Sequence, residues 1–141
     1  MKKRMLIPAF ALLLAISLSG IPAATAGPPN LDAQWVGTIS GTIDRGGIDH
    51  EFFGTHFEID IFSQKGARFF GKMLIGSDFT HDRLNVTGVI TGGEILITCS
   101  AGFFQGKLSG SGSTMKIRGV GSLQTDDFPS TTVLFNLSKD D

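Results

Sequence analysis

The chain has 141 residues, with 12 basic and 13 acidic side chains and a formal net charge of −1. That balance leaves no basic stripe to follow a phosphate backbone, so nucleic acid is not an expected partner. Cys99 is the single cysteine, so no disulfide can form within the chain and stability must come from a core and a strand ladder.

The first 26 residues read as a secretory signal. Lys2, Lys3 and Arg4 precede an apolar stretch that runs to Leu18, and Ala24-Thr25-Ala26 supplies the small-x-small cleavage pattern. Cleavage near Ala26 predicts a secreted or periplasmic product. Pro8 interrupts the apolar stretch and Gly20-Ile21-Pro22 closes it, short of the roughly 20 apolar residues that a spanning helix needs. No second long apolar run follows, so the mature chain is expected to lack a transmembrane segment. It is also mildly acidic, because Lys2, Lys3 and Arg4 leave with the signal. Residues 27–33 then read as an extended leader, and 34–141 as one domain.

From residue 34 onward the pattern has a period of two. Trp35-Val36-Gly37-Thr38-Ile39 sets it, and Phe69-Phe70-Gly71-Lys72-Met73 repeats it. Strict alternation over four to eight residues makes half-buried strand. It predicts strands at 34–43, 50–62, 67–75, 83–91, 94–101, 103–109, 113–124 and 131–138. Gln64-Lys65-Gly66, Thr91-Gly92-Gly93 and Ser109-Gly110-Ser111-Gly112-Ser113 carry tight-hairpin chemistry between them. Short connections between successive strands predict an all-β fold, an eight-stranded up-and-down antiparallel β-barrel. Glycine recurs on the apolar face, where a closing sheet curves most tightly.

Parity assigns Trp35, Phe53, Phe57, Phe69, Phe104 and Phe135 to the interior, with the aliphatic side chains of the same face. The register of the second strand is the open point, since Phe52-Phe53-Gly54 can hold a bulge. An interior with so few polar groups is either packed or a chamber for a small apolar ligand. In the ligand-binding reading, Trp35, Phe53, Phe69, Phe104 and Phe135 line the chamber, with Phe79 and Phe128 on the loops above it. The three tight hairpins share one end. The longer connections gather at the other, where Asp49, His50, Glu51, His81 and Asp82 form a polar rim. Outward parity falls to Phe70, Leu74, Val89, Leu96 and Phe103 on neighbouring strands, a candidate surface for a protein partner or a second copy. A membrane-spanning barrel is not expected, because the lumen is apolar, tyrosine is absent and tryptophan occurs once.

Chemistry is sparse. No serine sits in a strand-to-helix elbow, no glycine-rich turn opens a helix, and the histidines lack a diagnostic metal spacing. No catalytic residue, metal ligand or cofactor is assigned. The eight-strand meander, Gln34-Trp35-Val36-Gly37 and the repeated Phe-x-Gly-Lys-Leu/Met phrase resemble calycin-type barrels: lipocalins, avidin-like proteins and small periplasmic inhibitor barrels. The resemblance implies a calycin-like architecture. Ala33 stands where lipocalins have glycine two residues before the early tryptophan, so no ligand contacts are carried over. The expected function is a non-catalytic, exported binding barrel holding a small apolar ligand in its interior or at its open end. The alternatives are an envelope interaction or inhibitor module with a packed core, and an enzyme using the His and Asp residues of the rim.

Overall fold

A computed structural model describes residues 27–76, 83–126 and 129–140. The predicted signal 1–26, and with it the position of Ala26, lies outside the described residues. Eight antiparallel strands follow one another around a closed barrel: β1 (Ala33–Asp44), β2 (Asp49–Lys65), β3 (Arg68–Ile75), β4 (Leu84–Thr91), β5 (Glu94–Cys99), β6 (Gly102–Ser109), β7 (Lys116–Leu123) and β8 (Thr131–Asp140). Pairing of β8 with β1, from Gln34 opposite Asp140 to Ile43 opposite Thr131, closes the ring and leaves no free edge. The architecture is the closed eight-stranded up-and-down barrel that the resemblance implied. The seventh strand starts later than its alternation suggested, because Gly112–Thr114 forms a 3-10 turn first.

The interior is packed around three rings. Phe57 and Phe104 lie 5.3 Å apart between centroids, and Phe135 meets them edge-on at 5.8 and 5.7 Å. These are favourable aromatic geometries, adding to the area each ring buries. Trp35 and Phe69 are fully buried below and beside them. Gly88 faces the Phe69 ring so closely that a Cβ there would overlap it. That contact gives the inward glycine its physical reason: the ring occupies the volume that a side chain would fill.

Two bulges in β2 correct the expected register. Ile39 pairs with Thr55 but Gly41 pairs with Phe52, so β2 carries one residue more than β1 across this interval. Gly54 takes the left-handed conformation there, at φ 65°, and its N–H donates to Ser40 Oγ at 2.9 Å. Phe52 therefore packs against the core, whereas Phe53 is turned outside at 77% exposure. Glu51, paired with Thr42, also faces outward rather than into the mouth. The second irregularity falls between Ile61 and Ser63 opposite β3. It turns Phe62 to solvent and brings Gln64 level with the buried Phe69.

That second bulge serves the leader. Residues 27–33 do not simply extend away from the domain: Leu31 is fully buried in the core at the end closed by the tight hairpins. A backbone segment crossing a barrel end needs partners for its polar groups. Gln64 supplies them, its Oε1 accepting from Leu31 N–H at 2.7 Å and its Nε2 donating to Pro29 O at 2.8 Å. Trp35 Nε1 donates to Leu31 O at 3.0 Å, so the indole and the leader lock each other.

Two stability measurements check this packing. Gly88→Val should cost about 1–3 kcal/mol in urea unfolding by forcing Phe69 from its place. Leu31→Ala should cost about 2–5 kcal/mol by opening a cavity at the plugged end; an unchanged midpoint would mean the leader does not seal the barrel.

Candidate functional site

At the end opposite the tight hairpins, Asp49, His50 and Glu51 open β2 and are all exposed. The loop before them is an ordinary compact turn. Arg45 N–H donates to Ile48 O at 3.0 Å and Gly47 N–H to Asp44 Oδ1 at 2.7 Å. Phe79, His81, Asp82 and Phe128 lie outside the described residues, so the structure does not place them beside this rim. Among the described residues, no three His, Cys, Asp or Glu side chains gather as a metal-binding group. Below the rim the barrel is filled: Ile43, Ala101, Leu123 and Thr131 are buried at the level of the mouth, and Gln124 N–H donates to Ala101 O at 2.7 Å.

The five aromatics expected to line a chamber divide. Trp35, Phe69, Phe104 and Phe135 are buried against one another and their neighbours. Phe53 instead forms one wall of a shallow outer groove of about 290 Å³, with Leu134, Thr132, Ser40 and Glu51 around it. Cys99 is half-buried and points its Sγ toward Gly102 O at 3.6 Å. Burial pushes its thiol above the ordinary value, which disfavours a reactive thiolate at neutral pH.

The distinctive surface is the outer wall of β4–β7. Cross-strand registers place Thr87, Thr98, Phe103 and Ser122 in one row, and Val89, Leu96, Gln105 and Val120 in the next. Phe70 extends the first row onto β3 and Leu134 extends the second onto β8. On β4–β7 themselves neither row holds a charged side chain, and Arg68 continues the second row onto β3 beside Val89. The following row, toward the tight hairpins, is Glu94, Lys107 and Arg118. Phe103 and Val120 stand 49% and 50% exposed, and Thr87 and Thr98 join their hydroxyl oxygens at 3.0 Å between the apolar groups. A concavity of about 240 Å³ lies beside Phe70, Val89 and Leu96. Four of the five residues expected to form an outer patch are on this wall. Leu74 is not: it is half-buried, pairs with Glu58, and is separated from Phe70 along β3 by Lys72. Val120 and Leu134, outward by the same alternation, join the second row through the register of β7 with β6 and β8.

The β1–β2 wall carries exposed Phe53 and Phe62 together with one self-satisfied polar cluster. Glu58 faces outward yet is buried, because Arg83 and His56 lie over it at 2.6 and 3.5 Å. The Arg83 contact to Oε1 is an ion contact without hydrogen-bond alignment, so charge more than direction holds that oxygen. Burial raises the carboxyl's pKa, but Gln34, Arg83 and His56 together outweigh it and leave the group below its ordinary 4.5. A carboxylate so held by a cation and an amide is a structural clasp between β1, β2 and the start of β4.

No protein-family model matches the chain, and no curated protein matches it.

The Glu58 cluster makes a pH prediction. Its folded pKa is depressed, so its stabilisation is complete above the unfolded value of 4.5 and is lost as pH falls through the lower folded value. Glu58→Gln should cost about 1 kcal/mol at neutral pH, modest because solvent screens the half-exposed Arg83. It should also flatten the decline in thermal midpoint below pH 4.5; a variant with the parent's full acid sensitivity would remove Glu58 from that role.

Proposed function

We propose that this chain is an exported, non-catalytic barrel that acts as a protein-interaction module through its outer wall. The observation that carries the reading is the two-row uncharged face of β4–β7, with half-exposed Leu96, Phe103 and Val120 at its centre. Contiguous apolar surface of this kind is rare on proteins that act alone. The carrier reading draws less support, since the aromatic side chains that would line a chamber pack on one another. An apolar ligand would be left with the mouth or the outer groove beside Phe53. Export rests on the leader pattern of Lys2 to Ala26, and outside the cytoplasm the closed ladder is a suitable substitute for disulfides.

The test is site-specific photo-crosslinking in the cells that export the chain, with the probe at position 96 or, as control, at position 72 on β3, between Asp60 and Asn85. Discrete protein adducts are expected from position 96 and not from position 72. Equal labelling at both positions, or a stoichiometric lipid on the purified chain in native mass spectrometry, would overturn the interaction reading.

A further inference from the structure

We propose that the tight-hairpin end is a peptide socket whose occupant in cis is the leader, and that a peptide segment from another polypeptide takes its place when the leader swings out. The segment it fits carries one leucine-sized aliphatic side chain. This socket is separate from the outer wall of β4–β7 and does not depend on it. The leader is seated as a bound peptide is. Among the described residues, its hydrogen bonds to the ring run through two side chains, Gln64 and Trp35. Gln64 accepts from Leu31 N–H and donates to Pro29 O, the two main-chain groups that flank Asn30. A residue of a parallel strand bonds its neighbour in that pattern, so one side-chain amide stands in for an added strand. These contacts read main chain alone. Sequence is read by the hole that takes Leu31, whose side chain is fully buried.

The socket is organised from its own side. Gln64 Nε2 also donates to Gly66 O at 3.0 Å, so the β2–β3 hairpin orients the amide whether or not the leader is in place. Trp35 is fixed within β1, paired on one side with Ile59 and on the other with Lys139. The leader is held less firmly. Asn30 Oδ1 accepts from Asp32 N–H at 2.9 Å, a local turn that presents Leu31 to the core. Upstream, Gly27 and Pro28 are exposed, and a hollow of about 430 Å³ lies among residues 27–29, Ala67, Ile90 and the Gly92-Gly93 turn. One buried side chain and three hydrogen bonds, with no strand ladder, make a contact that opens locally while the barrel stays folded.

The probe is a fluorescein-labelled peptide of the leader's own sequence, Gly-Pro-Pro-Asn-Leu-Asp, titrated by fluorescence anisotropy against the full chain. Leu31→Asp expels the leader, because an unpaired carboxylate is too costly to bury. Saturable binding to this variant is expected. The parent should bind about tenfold or more weakly than the variant, since its tethered leader competes at about millimolar effective concentration. Adding Gln64→Leu to Leu31→Asp, or aspartate in place of the probe's leucine, should each lower affinity by about tenfold or more. Leu31→Ala empties the same hole with less disturbance and is titrated alongside, in case Leu31→Asp does not fold. In the parent, hydrogen exchange should find the Leu31 amide about tenfold or more less protected than that of Ile97 on β5. No binding to either variant would overturn the socket, as would binding equal to the parent's or indifferent to Gln64 and to the probe's leucine. Equal protection at Leu31 and Ile97 would overturn the displaceable leader.

Discussion

Closure of β8 onto β1 fixes the volume inside the ring, and that volume governs the remainder of the molecule. Eight strands enclose a space about as wide as the side chains that line it. Three phenylalanine rings meeting at 5.3 to 5.8 Å fill its middle, and each larger group added must be offset by a smaller one opposite. Gly88 beneath Phe69 is such an offset. The alternation of bulky residues and glycines is thus a packing solution for a small closed sheet.

A filled ring still has two ends. At the tight-hairpin end, the leader folds across and places Leu31 in the core, which requires its amide and carbonyl groups to be satisfied away from bulk water. Gln64 is turned to that task by a bulge between Ile61 and Ser63, and Trp35 adds an indole hydrogen bond. The same strand bulges again at Gly54, and there the effect is on the surface: Phe53 is exchanged for Phe52. One extra residue in a ladder decides which of two adjacent aromatics stabilises the core.

With the interior committed to packing, the features that set this barrel apart lie on its outside, and the outside is two-sided. Over β1, β2 and the start of β4, Gln34, His56, Glu58 and Arg83 satisfy one another. Over β4–β7, nothing comparable lies above Val89, Leu96, Phe103 and Val120 among the described residues. Glu94, Lys107 and Arg118 form a charged row at the margin of that wall, and Arg68 stands beside Val89 at its β3 border.

Local alternation was enough to settle the all-β meander, the hairpins and nearly all of the core, because side-chain parity along a strand is a property of adjacent residues. Phe57, Phe69, Phe104 and Phe135 were legible in this way, and so was the outward facing of Phe70, Val89, Leu96 and Phe103. What alternation could not reach depends on pairing between distant segments. The Gly54 bulge exists only against β1, the inward turn of Gln64 only against β3, and the burial of Leu31 only once the ring has closed beneath it. The alignment of Val89, Leu96, Gln105 and Val120 into one row is likewise a matter of register across four strands. Sequence determines which face a residue takes along an unbroken strand; the closed tertiary ladder decides where a bulge reverses that face and which residues stand beside it.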